Sequence, residues 1–180
     1  SWSCNSCEGN KTLVEVYSDQ ASVKLYLIGK GLGHKKIRDC KAVFHTKYEP
    51  GVLTAVAFDF AGRETGRSVL KSAKGPFRIA IRPETKKARP GEVIYIPVRM
   101  AGKNGIVESN ADRKISVSVT GGRLLAFGSA NPCTTEQYHT GSFTTYYGRA
   151  LAIVQAEDTG CLTVIATDGS SQAQTNIMIE

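Results

Sequence analysis

No run in this sequence approaches the roughly 20 consecutive apolar residues that a membrane-spanning helix needs. No useful length of it carries apolar residues at helical spacing either. A membrane is therefore not an expected partner, and folds built on helices are set aside. The N-terminus, SWSCNSCEGNKT, is polar and has no apolar core, so no signal peptide is visible there. It lacks an initiator methionine, which reads as a processed product or a piece of a longer chain. Histidine is scarce: His34, His45 and His139 stand alone in sequence, each reading as a surface residue rather than a catalytic base. No G-x-S-x-G elbow or phosphate loop occurs, and Gly29–Gly33 lacks the helix that a dinucleotide motif requires. The carboxylates are scattered over many turns, with no adjacent pair suited to acid–base work. The expectation is no catalytic residue and no cofactor in this chain.

Cysteine is present but poorly organised. Five residues, Cys4, Cys7, Cys40, Cys133 and Cys161, form an odd and irregular set that makes a poor disulfide framework and favours a reducing, cytoplasmic setting. Cys4-x-x-Cys7 invites a zinc or redox reading. Zinc takes about four ligands, usually from two such pairs, and there is no second pair. A redox motif should open a helix, and none follows. No metal site is expected.

What the chain does have is strand grammar. At 180 residues, 41% hydrophobic and 22% charged, it has an ordinary globular profile with room for one large or two small domains. Val23, Leu25 and Leu27 alternate with Lys24, Tyr26 and Ile28, and Val52–Phe60 reads as a central strand. Gly29–Gly33 reads as the break that closes a strand. Turns recur every eight to twelve residues or so, the spacing of a β-sandwich. Ser72-Ala73-Lys74-Gly75-Pro76 is a small, polar join. Alternation restarts beyond it at Phe77, Ile79 and Ile81, and again at Ile94, Ile96, Val98 and Met100. Pro97 has no N–H for a ladder, which predicts an edge strand or a bulge for that segment. The expected fold is all-β, two tandem immunoglobulin-like β-sandwich domains, residues 1–74 and 75–180.

Charge is concentrated at the turnover. Residues 63–89 hold nine basic and two acidic residues, the whole of the chain's +7, while the remainder balances. Two readings stand: a basic hinge in which Arg78 and Arg82 meet an acidic partner face, or a solvated strand edge protected by charge. The pI near 9.2 raises nucleic acid, yet no helix-turn-helix, zinc finger or ribonucleoprotein aromatic motif accompanies it, so nucleic acid is not an expected partner. The other candidate site is the longest irregular run, residues 128–148, which gathers Tyr138, Phe143, Tyr146 and Tyr147. Such loops are usually functional or disordered. The rings suit a sugar platform, a protein contact, or anchorage to the domain's own core. Tyr146 and Tyr147 are adjacent, so in a strand they would face opposite ways.

Several blocks in order resemble glycoside hydrolase family 2 β-galactosidases. VEVYSDQASVKLYLIGKGLG (Val14–Gly33) is similar to the start of the β-sandwich that follows the catalytic barrel in that family, with Ile28 where the family usually has Asn. YEPGVLTAVAFDFAGRETGRSVLKSA (Tyr48–Ala73) resembles the end of the same domain. IAIRPE, SNADRKISVSVTGGRLLAFGSANP and YYGRALAIV resemble the next, C-terminal domain, with Ala130 where Gly is more common. The resemblance implies non-catalytic accessory domains that support a (β/α)₈ barrel carrying two catalytic glutamates. A barrel takes about 250 residues of alternating strands and helices, so no catalytic residue is carried over. The implied partners are the barrel and other parent domains. β-Galactoside would be met only through the parent, homo-oligomerisation is open, and Trp2 would sit near the join with the barrel. The competing readings are a carbohydrate-binding module and an adhesion-type tandem of immunoglobulin-like domains.

Overall fold

A computed structural model describes all of residues 1–180. The chain has no helix, hence none long and apolar enough to cross a membrane. It divides into two compact units, Ser1–Ser72 and Ala73–Glu180.

The first unit contains β1 (Lys11–Tyr17), β2 (Ser22–Leu27), β3 (Lys30–Lys36), β4 (Lys41–Lys47), β5 (Val52–Phe58) and β6 (Glu64–Lys71). A two-stranded sheet, β1-β4, faces a four-stranded antiparallel sheet in the order β3-β2-β5-β6. Alternate residues of each strand turn inward. Val14, Ala42 and Phe44 from one sheet meet Val23, Leu25, Leu27 and Leu53 from the other. Trp2 belongs to this core. Its ring lies 5.1 Å from that of Tyr48, and its indole N–H donates to the Glu49 carbonyl at 2.8 Å. Cys4 and Cys7 pair as a disulfide packed against the same core, and Cys40, Cys133 and Cys161 stay free. The irregular cysteine spacing gave no sign of that one short bridge.

Gly29–Gly33 does not end a strand; it opens one. Ile28 and Gly29 take φ of 49° and 78° and form a two-residue hairpin turn, after which β3 pairs back on β2 with a bulge near Leu32. Positive φ at both central positions is the geometry that matches strand twist, and it favours Asn-Gly. Ile28 is β-branched and poorly suited to it.

The second unit contains β7 (Arg78–Ile81), β8 (Lys87–Ala88), β9 (Val93–Ala101), β10 (Lys114–Thr120), β11 (Gly122–Gly128), β12 (Ser142–Thr144), β13 (Arg149–Ala156), β14 (Gly160–Thr167) and β15 (Gln172–Ile179). These make a five-stranded sheet, β12-β10-β14-β15-β8, and a four-stranded sheet, β11-β13-β9-β7. All pairings are antiparallel except the short β8–β15 contact. The core is the two inner faces: Ile94, Ile96, Val98 and Met100 of β9, Ala152 and Val154 of β13, Leu162 and Val164 of β14, and Ile177 and Ile179 of β15. Burying such side chains contributes about 1.5–3 kcal/mol each for the larger ones.

Pro97 is not on an edge, since β9 lies between β13 and β7. Proline is tolerated because of where its missing donor points. Met100 N–H donates toward β13, to Gly148, so Pro97, three residues away, turns its backbone to the opposite side. That side is just past the last β7 pair, Ile81 with Val98, where the Pro97 carbonyl accepts from Arg82 N–H.

Candidate binding site

The irregular run is held by its own polar groups. The Glu136 carboxylate accepts from Thr144 N–H at 3.0 Å and Thr144 Oγ1 at 3.1 Å, and Phe127 N–H donates to the Tyr138 carbonyl at 2.8 Å. Within the run, β12 pairs with β10 and delivers Phe143, fully buried, to the core. Tyr138 stacks on Phe143 from outside, with ring centroids 5.0 Å apart and planes 15° from parallel. A Cβ built on Gly128 would collide with the Cδ1–Cε1 edge of the Tyr138 ring, so glycine at this buried position is what lets the ring lie down. Tyr138 nevertheless leaves half its surface exposed.

Tyr146 and Tyr147 come from a different device. Tyr146 and Arg149 exchange both backbone hydrogen bonds across a two-residue turn in which Tyr147 and Gly148 have φ of 49° and 67°. Gly148 is pinned there: its N–H donates to Asp112 Oδ1 at 2.8 Å, and a Cβ would collide with the Glu108 carbonyl. Tyr147 occupies a left-handed position that asparagine or glycine would hold more cheaply. The result is an exposed ring on a tight, fixed turn, with the Tyr146 ring 4.4 Å away. Hydrogen bonding to Tyr147 raises the Tyr146 hydroxyl above its usual pKa of 10.0. Neither ring enters the core.

These three tyrosines, predicted from sequence, line one cavity of about 610 Å³ together with Ala126, Gly128, Ser129, Ala130, Arg149, Ala150, Leu151 and Ile153. That size falls in the range of small-ligand sites, about 300–1,000 Å³. Ser129 Oγ is buried and has no hydrogen-bond partner. Sequence reasoning missed Ser129, Arg149, Leu151 and Ile153. The last three lie on the outward positions of β13, and only the register of that strand could have assigned them.

The other predicted pair, Arg78 and Arg82, does not line the cavity. Both are exposed, at the β7 edge of the same four-stranded sheet. Part of the basic stretch is neutralised locally. Arg63 pairs with Asp59 and Arg67 with Glu64 in the first unit, and Lys87 pairs with Glu180 in the second. No group of three or more His, Cys, Asp or Glu side chains is placed to hold a metal ion.

Two successive all-β sandwiches, the second bearing a tyrosine-lined surface cavity, set the class of the protein. Residues 78–176 match the model of the glycoside hydrolase family 2 C-terminal domain 5, and residues 9–66 match a domain of unknown function, DUF4982. The chain belongs to the glycoside hydrolase family 2 C-terminal domain family. Among solved structures it is similar to a glycosyl hydrolase family 2 member from Bacteroides cellulosilyticus, at 26% identity and a TM-score of 0.90 over 98% of this chain and 25% of that one. A β-glycosidase from Bacteroides vulgatus shares the fold at 24% identity and a TM-score of 0.84, over 98% of this chain and 24% of that one. So does a family 2 β-glucuronidase at 16% identity and 0.76, over 96% and 19%. The chain thus spans about a quarter of the length of the first of these relatives. No curated protein sequence matches it.

Proposed function

We propose that this chain forms the non-catalytic C-terminal accessory domains of a β-galactosidase-like glycoside hydrolase, supporting a catalytic barrel and its assembly. One observation carries the reading: nearly the whole chain superposes on a quarter of a family 2 enzyme. Fifteen strands and no helix leave no place for a (β/α)₈ barrel within these residues. In this reading the two glutamates of retaining hydrolysis belong to the parent, and these units contribute rigid surfaces against which the rest of the enzyme assembles. The β-galactoside preference rests on the sequence blocks from Val14 to Val154 that resemble that branch of the family. A carbohydrate-binding module is the second reading, favoured by the tyrosine-lined cavity.

The test is the complete reading frame. It should encode a barrel with paired glutamates upstream of Ser1, and the full-length protein should hydrolyse chromogenic β-galactoside faster than β-glucuronide. A reading frame without a barrel would sink the proposal. A barrel that prefers glucuronide would remove only the galactoside preference.

A further inference from the structure

The tyrosine cavity opens onto the outer face of the four-stranded sheet, and that face carries an unusual arrangement of charge. Along β9, Ile94, Ile96, Val98 and Met100 are buried, which leaves Val93, Tyr95, Pro97 and Arg99 on the outer side. Along β13, Arg149, Leu151, Ile153 and Gln155 are outward by the same alternation. The register sets Arg149 directly opposite Arg99, Leu151 opposite Pro97, and Ile153 opposite Tyr95. On the other flank Arg99 faces Ala80 of β7, with Arg78 and Arg82 two residues to either side of it. Four arginines therefore surround one corner of a face whose middle is formed by Tyr95, Pro97, Leu151 and Ile153.

None of the four takes part in an ion pair; the chain's ion pairs are Lys41–Glu15, Arg63–Asp59, Arg67–Glu64 and Lys87–Glu180. Glu84, two residues beyond Arg82 with its N–H donating to the Tyr95 carbonyl, is the acidic group beside them and pairs with none of the four. Like charges directly opposite across a strand pair are destabilising. Arg149 is moreover held in place, its Nη1 donating to the Tyr147 carbonyl at 3.0 Å. An anion lodged between Arg99 and Arg149 would turn that repulsion into two charge-assisted contacts, because the guanidinium fork fits carboxylate and sulfate groups.

We infer that this face binds an acidic saccharide, its carboxylate or sulfate held between Arg99 and Arg149 and a sugar ring seated in the cavity against Tyr147 and Leu151. The ring has an apolar C–H face, which suits Tyr138, Tyr147 and Leu151, and hydroxyls, which suit the tyrosine O–H groups at the cavity wall. Backbone strain at an exposed tyrosine is a device that concentrates at binding sites, and Tyr147 has it. The anionic half of the inference stands on the arginines. The saccharide half rests on the proposed glycosidase parentage.

Calorimetric titration of the 180-residue protein with tetragalacturonate tests it, beside neutral galactotetraose and tetraglutamate as controls. Tetragalacturonate should bind, at least about tenfold more tightly than either control and more weakly as sodium chloride rises. Arg99→Gln and Arg149→Gln should each weaken binding about tenfold or more. Tyr147→Gly should do the same while keeping the turn, since glycine accepts its left-handed backbone. Lys36→Gln, in the first unit, should leave binding unchanged, and circular dichroism should show every variant folded. Absence of tetragalacturonate binding, equal binding of the neutral sugar, or insensitivity to both arginine substitutions would overturn the inference. Tetraglutamate binding as tightly would also overturn it, in favour of an acidic protein surface. That last result leaves the parentage standing, because the reading frame tests parentage separately.

Discussion

The edge of the Tyr138 ring lies too close to residue 128 for a Cβ there, so Gly128→Ala should act through that ring. Gly128 does not have the positive φ that would make alanine strained in its own right. The cost is therefore steric. Alanine must push Tyr138 off Phe143, giving up a stack with centroids 5.0 Å apart. Such a pair is worth about 0.5–1.5 kcal/mol beyond its buried area, and overpacking typically costs about 1–3 kcal/mol. Tyr138→Ala alone removes a ring about half buried. At roughly 100 Å² of lost burial and about 25 cal/mol per Å², that is about 2.5 kcal/mol. In the double variant the obstruction is gone, and Gly→Ala at an unstrained site stabilises by about 0.4–1 kcal/mol. The two substitutions should therefore couple by about 1–3 kcal/mol in a double-mutant cycle measured by urea unfolding under circular dichroism. Trp2 fluorescence provides an internal control, because Trp2 belongs to the first unit's core. Additivity within about 0.5 kcal/mol would refute the account of Gly128.

Two other outcomes follow from particular turns. Ile28→Asn should stabilise the first unit by about 1 kcal/mol, because Ile28 sits at φ 49° with its side chain mostly exposed; an unchanged or lowered urea midpoint would contradict this. Asp168 governs the β14–β15 turn. Burial pushes its carboxyl up, but hydrogen bonds from the backbone and hydroxyls of Ser170 and Ser171 outweigh that and leave it below its ordinary 3.8. A depressed folded value means the turn's contribution is complete above the unfolded pKa and is lost as pH falls through the lower folded one. Amide exchange of Ser170 and Ser171 should lose protection in that acidic window, and Asp168→Asn should abolish this pH dependence. Protection that persists unchanged at pH 2 in the wild-type protein would count against it.

Much of the fold was legible because inward and outward residues alternate so regularly. Val23, Leu25 and Leu27, and Ile94 to Met100, are core positions readable from period two alone. Pro97 misled because strand proline was judged by its missing donor, without knowing that β7 stops one residue short of it. Gly29–Gly33 misled because an isoleucine hid a hairpin turn usually marked by asparagine. The three tyrosines were legible as unusual aromatics in an irregular run, whereas their meeting in one cavity depends on Gly128, Phe143 and the Tyr147–Gly148 turn. The arginine face was half legible. Arg78 and Arg82 stood out as part of a charge run, but Arg99 and Arg149 become neighbours only through the β9–β13 register, 50 residues apart in sequence.

Incubation of the pure 180-residue protein with chromogenic β-galactoside and β-glucuronide tests the accessory-domain reading most directly. The prediction is no turnover of either substrate above the blank, with hydrolysis appearing only in the full-length enzyme. Hydrolysis by the chain itself, stoichiometric with protein and blocked by a glycosidase inhibitor, would contradict the account.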